Sequence, residues 1–167
     1  MFATREHWKA QNKRKYTGDP YIVHPRMVAS IVRSVPHTSE MVAAAWLHDV
    51  VEDTPVSLAQ IKFEFGDTVA DLVGWLTDVS KPGDGNRAAR KAIDRAHIAQ
   101  APKEAKTIKL ADLIDNTRSI TAHDPDFALI YLREKADLLE VLREGDQTLW
   151  LMARWMIPAL MRPAIVL

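Results

Sequence analysis

Cysteine is absent from the 167 residues. That excludes disulfides, zinc–thiolate centres and thiol nucleophiles, and it fits a reducing cytoplasm. No run reaches the ~20 apolar residues of a membrane span, and the first residues lack the apolar core of a secretory signal. There is no excess charge either: 22 Lys and Arg balance 22 Asp and Glu. A dedicated nucleic-acid binder is usually basic overall, so that class drops in rank, although a small anionic ligand needs only a local patch. Strand-like alternation, internal repeats and low-complexity linkers are missing as well. What is present is 47% hydrophobic residues, enough for a globular core, and the length suits one domain spanning residues 1–167.

Helical periodicity broken by Pro and Gly runs through the whole chain. It predicts an all-α domain of roughly eight or nine helices. A short helix is expected over residues 2–11, then a loop with three consecutive basic residues, Lys13, Arg14 and Lys15. Pro25 suits the first turn of a helix that runs to about Val35. Thr38 or Ser39 caps the next helix, and Ser57 caps the one after Pro55. Later helices are expected over 69–76, from Arg87, over 105–120, over 127–142 and over 149–161. Arg154, Pro158, Arg162 and Pro163 argue against membrane insertion of the apolar last segment, whose end, 164–167, inclines the reading towards a homo-oligomer.

The chemistry gathers at His48-Asp49-Val50-Val51-Glu52-Asp53-Thr54-Pro55. The apolar run before it reads as a buried helix, continued through Asp53 and stopped by Pro55. On one helix His48, Asp49, Glu52 and Asp53 face roughly one way. Three carboxylates beside an apolar helix are costly unless something positive neutralises them, and a divalent cation is the simplest remedy. The alternative is a solvated helix end with three surface acids. His48 and Asp49 cannot close a metal site alone. His24, fixed by Pro25, and Asp112, inside an apolar helix, are the natural partners, although Asp112 also fits a polar face shared with Asp115 and Asn116. His7, His37, His97 and His123 have no comparable context and are expected at the surface or as caps.

Four motifs in order carry a resemblance: Arg14-Lys15, Pro20-Tyr21-Ile22-Val23-His24-Pro25, His48 to Thr54, and Lys109 to Asn116. Over about residues 14–120 the chain resembles the HD superfamily of metal-dependent phosphohydrolases, and within it the hydrolase domain of RelA/SpoT-type enzymes and the stand-alone small alarmone hydrolases. The resemblance implies one divalent ion, usually manganese, held by His24, His48, Asp49 and Asp112. Iron or zinc suits the same mixed imidazole and carboxylate set. It implies Glu52 and Asp53 as the pair that orients water and handles protons.

The implied substrate is guanosine tetra- or pentaphosphate, cleaved at the ribose 3′-pyrophosphate. Arg14 would stack on guanine, and Lys15, Asn116 and Tyr131 would contact the nucleotide, although helix periodicity accounts for Tyr131 equally well. Arg87, Arg90 and Lys91 form a basic face open to distal phosphates or to solvent. Two departures bear on base recognition: Tyr16-Thr17 lengthens the loop, and Asp115 stands where Tyr or His is usual. With no synthetase domain in the chain, degradation and not synthesis is expected. Two alternatives use the same residues: a hydrolase of another phosphorylated nucleotide, and a non-catalytic helical module that binds metal or nucleotide.

Overall fold

Residues 1–163 are described by the computed structural model. Among them the chain is all-α, as the periodicity predicts: ten helices, nine of them eight residues or longer, and two 3-10 turns, Pro82–Asp84 and Ala159–Met161. The one β-type pairing among them is an isolated bridge between Lys13 and Pro20. No described helix is long and apolar enough to cross a membrane. The residues group into two compact units, Met1–Asp78 and the chain from Val79 onward. Residues 164–167, on which the expectation of a homo-oligomer rests, lie outside the described residues.

The first unit holds α1 (Phe2–Lys9), α2 (Val23–Val32), α3 (Ser39–Leu47), α4 (Val50–Asp53), α5 (Leu58–Phe65) and α6 (Asp67–Leu76). Central to it is α3, which packs on α2 and α6, while α5 packs on α6 and α1 on α4. Its Ala44 and Ala45 are completely buried, small enough to let neighbouring helices approach, and Val28, Val32, Ile61 and Val73 fill the space around them. Each buried side chain of that larger size contributes about 1.5–3 kcal/mol. Thr38 and Ser57 cap α3 and α5 as expected, accepting from Met41 N at 3.3 Å and Gln60 N at 3.2 Å. On α5 Ile61 is fully buried, whereas Phe63 is 87% exposed.

The second unit holds α7 (Arg87–Ala99), α8 (Lys103–His123), α9 (Pro125–Val141) and α10 (Gln147–Trp155). Here α8 is the centre, with α9 and α10 against it and α7 against α9. Asn86, Asp124 and Asp146 cap α7, α9 and α10. Gly145 turns the chain from α9 into α10 where a Cβ would stand 2.8 Å from Leu110 Cδ1 and 3.1 Å from the Lys106 and Thr107 backbone, so only glycine fits without movement. The apolar last segment is not one helix over 149–161. It stops at Trp155, and Pro158 leads the chain into a 3-10 turn.

Lys135 lies on the buried stripe of α9 with Leu132 and Leu139, and it is 1% exposed. Its Nζ donates to Thr117 Oγ1 at 2.6 Å and lies 3.9 Å from Met156 Sδ. The Thr117 hydroxyl spends its own proton on Leu113 O, so it can only accept from the amine. Burial pulls the Lys135 pKa from 10.5 down to about 7. Between those values the unfolded chain carries a proton that the folded one does not, so this group makes stability rise with pH across that interval and contributes its full cost below it. Lys135→Met should therefore raise stability at pH 7 by on the order of a few kcal/mol, and by less at pH 10. Thermal melts at both pH values check this; an equal gain at both would mean that the amine stays charged.

Candidate metal centre and its surroundings

The helix expected to run from residue 41 through Asp53 is broken. It stops at Leu47, His48 and Asp49 form a turn, and a single turn, α4, comes next. His48, Asp49, Glu52 and Asp53 are therefore not four positions on one helix face. Nothing in the local sequence marks the break, since neither Gly nor Pro occurs between Met41 and Thr54. Thr54 ends α4 by donating its hydroxyl to Val50 O at 2.6 Å and accepting from Val56 N at 3.2 Å, with Pro55 between them.

The turn presents His48 and Asp49 to His24 in the first turn of α2. His24 and His48 are each 1% exposed. The Nε2 atoms of the two rings are 3.2 Å apart. Asp49 Oδ2 lies 3.1 Å from His48 Nε2 and 3.5 Å from His24 Nε2. The His48 Nδ1 atom is 2.9 Å from Ala45 O. A carbonyl only accepts, so Nδ1 carries the proton and Nε2 turns a lone pair towards the other two atoms. Two imidazole nitrogens and a carboxylate oxygen thus converge in a mostly dry place, a donor set that fits a divalent ion. These three expected ligands are brought together in the first unit.

Tyr21 supports this cluster, a role that the sequence pattern did not assign. Its hydroxyl donates to Asp49 Oδ2 at 2.6 Å, and its ring lies edge-on to His24 with centroids 5.9 Å apart. The signal was available: a phenol placed three residues before a candidate ligand. Glu52 is exposed and its Oε1 accepts from Asp78 N at 2.7 Å, which fixes the direction of that carboxylate. Asp53 is exposed as a residue, yet its carboxyl group is partly withdrawn from water. That loss of solvent, and then the charge of Asp49, push its pKa above the usual carboxylate value, while the nearby Tyr21 hydroxyl pulls the other way.

His7 is corrected most sharply. It is neither at the surface nor a cap but buried, 1% exposed, with its ring 4.8 Å from that of Tyr21. Ala3, Glu6 and His7 form the buried face of α1.

Arg14 and Lys15 sit on a closed loop. Arg14 N donates to Asp19 O at 2.9 Å and Gly18 N to Arg14 O at 3.0 Å, with Gly18 in the left-handed region at φ 72°. The Lys15 amine lies 4.8 Å over the Tyr16 ring. In the second unit, buried Asp112 has Asn116 Nδ2 at 2.6 Å from Oδ1 and Lys109 Nζ at 3.0 Å from Oδ2. Burial, and then the Asp112 charge, hold the Tyr131 phenol well above its usual pKa. Asp112, Asn116 and Tyr131 are thus neighbours within that unit. Arg87, on the basic face of α7, is held by Glu134 through two bonds of 2.7 and 2.8 Å.

The Tyr21–Asp49 bond yields a direct test. Tyr21→Phe removes one hydroxyl and keeps the ring. It should weaken binding of a divalent ion roughly 10–100-fold, the typical effect of losing a group that orients a ligand. Calorimetric titration of the variant against the wild-type chain reads this out; unchanged affinity would remove Tyr21 from the site.

Comparison with known proteins fits this geometry. The family model described as the HD domain matches residues 2–143. The chain is 39% identical over 137 residues to a probable guanosine-3′,5′-bis(diphosphate) 3′-pyrophosphohydrolase of Synechocystis, covering 80% of this chain and 18% of that protein. It thus spans about a fifth of the length of that relative. It is 35% identical over 128 residues to a guanosine-3′,5′-bis(diphosphate) 3′-pyrophosphohydrolase of Danio rerio, covering 75% of this chain and 68% of that one. A solved structure described as a metazoan ortholog of SpoT that hydrolyses ppGpp superposes with a TM-score of 0.81 at 29% identity, over 93% of this chain and 89% of its own. The family match covers most of the chain, and the chain belongs to the HD domain family.

Proposed function

We propose that this chain is a metal-dependent hydrolase of guanosine tetra- and pentaphosphate, releasing pyrophosphate from the ribose 3′ position and leaving GDP or GTP. The observation that carries this is the buried convergence of His24, His48 and Asp49, with the acids Glu52 and Asp53 on the next turn. The names of the relatives from Synechocystis and Danio rerio support it. The reading treats residues 1–167 as one HD phosphohydrolase domain, supported by a family match that runs from residue 2 to 143. The absence of cysteine suits a reducing cytoplasm.

His24, His48 and Asp49 would hold the ion, and Asp112 is assigned as the fourth ligand by its Lys-Leu-Ala-Asp motif. Manganese is the ion proposed, with iron and zinc suited to the same donors. The ion, when bound, supplies Lewis acidity that polarises phosphorus and acidifies water. Every other task falls to the chain. Glu52, whose carboxylate is held on the Asp78 amide, would orient the attacking water. Asp53, whose raised pKa suits proton exchange, takes and returns protons. Arg14 offers a planar guanidinium for stacking on guanine. Lys15, Asn116 and Tyr131 contact the nucleotide. Hydrolysis of a different phosphorylated nucleotide is the second reading, favoured by the Tyr16-Thr17 loop tip and by Asp115.

A nucleotide panel with pyrophosphate detection separates these readings. The manganese-loaded chain should hydrolyse guanosine tetraphosphate, and a chelator or His48→Ala should abolish turnover. Preference for a nucleotide without guanine would overturn the substrate assignment. Glu52→Gln and Asp53→Asn should each keep the ion and bind nucleotide while losing roughly 10²–10⁴ in turnover. The double variant should lose less than the product, because both serve one water. Metal analysis decides their role: a variant that loses its ion has lost a ligand, and the assignment of Asp112 as the fourth ligand is then reopened. Arg14→Ala should raise KM with little change in kcat, since stacking acts on ground and transition states alike.

A further inference from the structure

Asn12 lies on the loop after α1 and makes two bonds with one nitrogen. Its Nδ2 donates to Asp53 O at 2.9 Å and lies 3.1 Å from His7 Nδ1. The first bond fixes the amide's orientation, because the flipped group would set two oxygens against each other. With Nδ2 so placed, its second hydrogen points at His7 Nδ1, which must then be the unprotonated, accepting nitrogen. The remaining His7 proton is on Nε2, a buried atom with no hydrogen-bond partner among the described residues. Burial lowers the pKa of His7, against an upward pull from Asp49, which keeps the ring neutral.

A buried donor left without a partner is costly, and an apolar ring of similar size would avoid that cost. Stability alone therefore does not account for a histidine here. Its Nδ1 does: it holds the Asn12 amide in place, and the amide holds the carbonyl of Asp53. Asp53 closes α4, a single turn of four residues. Such a turn has little stiffness of its own, and its last peptide gains a long-range anchor from a residue 41 positions away.

We infer that His7 and Asn12 form a relay that positions Asp53 for the reaction proposed above, on which this inference rests. Neither residue touches the substrate or the ion. His7 sets the amide, the amide sets the backbone of Asp53, and the backbone sets the direction of the carboxyl group. The two links act in series, so cutting either one releases Asp53 to the same extent.

Four variants test the relay: His7→Phe, Asn12→Leu, the two combined, and His7→Asn, whose side-chain oxygen stands near the place of Nδ1. His7→Phe should leave the melting temperature unchanged or raised. It should leave ion content and KM unchanged and lower kcat roughly ten- to a hundredfold, the scale of a small misplacement of a reacting group. Asn12→Leu should do the same, the double variant should lose nothing further, and His7→Asn should recover most of the rate. Two readouts need no turnover. Nitrogen NMR of the wild-type chain should show His7 protonated at Nε2 and bare at Nδ1. Amide exchange at Asp53 and Thr54 should quicken in His7→Phe, while exchange in α3 stays as it was. A wild-type chain inert towards guanosine tetraphosphate with both of these intact would sink the functional reading and spare the positional link. A proton on Nδ1, unchanged kcat in His7→Phe and Asn12→Leu, or losses that multiply in the double variant would overturn the relay.

Discussion

Two imidazole rings meeting nitrogen to nitrogen, with a carboxylate oxygen against both, form the contact on which the first unit depends. His24 Nε2 and His48 Nε2 are 3.2 Å apart in a place that water scarcely reaches. At that distance lone pairs repel unless a proton or a cation lies between them. The surrounding structure must therefore hold the three groups in place whether or not an ion is bound. The Ala45 carbonyl fixes one ring, the Tyr21 hydroxyl fixes the carboxylate, and Pro25 fixes the backbone beside the other ring. Ala45 and Pro25 lie on helices, while Tyr21 stands in the turn before α2 and reaches Asp49 across 28 positions of sequence.

The break after Leu47 is slight: His48 and Asp49 stay in the right-handed helical region, at φ −57°, ψ −34° and φ −98°, ψ −3°. A one-turn helix is a weak object, and α4 is held in place by bonds from outside it. Asn12 grips its last carbonyl, Asp78 its Glu52 carboxylate, and Pro55 prevents the chain from continuing.

Much of this could be read from the residues. Caps were legible because they are local: Thr38 and Ser57 act on amides three residues on, and no distant contact overrides them. The convergence of His24, His48 and Asp49 was legible because their chemistry is unusual for an apolar setting. The helix break was not, since no breaker residue marks it. The burial of His7 depends on a loop that folds back on α1, which no window of sequence contains. Lys135 is instructive in a different way. Its spacing from Leu132 and Leu139 placed it on the buried stripe, yet its charge argued for the surface, and the stripe prevailed. In α9 the apolar Leu129 and Ile130 face outward, 57% and 52% exposed, so hydrophobic character alone did not decide which side was inside.

The loop that carries Arg14 is pinned at its base by the pairing of Lys13 with Pro20 and by the bond from Arg14 N to Asp19 O. Tyr16 and Thr17 lie beyond those ties, at the tip. Adding or removing residues there changes the turn closed by Gly18 N on Arg14 O and the bond from Asp19 N to Thr17 Oγ1, and leaves Tyr21 and its grip on Asp49 where they are. The part of the chain that would meet a base can thus change its reach while the part that would do the chemistry stays still. In mechanical terms recognition hangs on a hinge-free bracket outside the reacting centre, and a lineage of such chains can alter what it accepts without relearning how to cut.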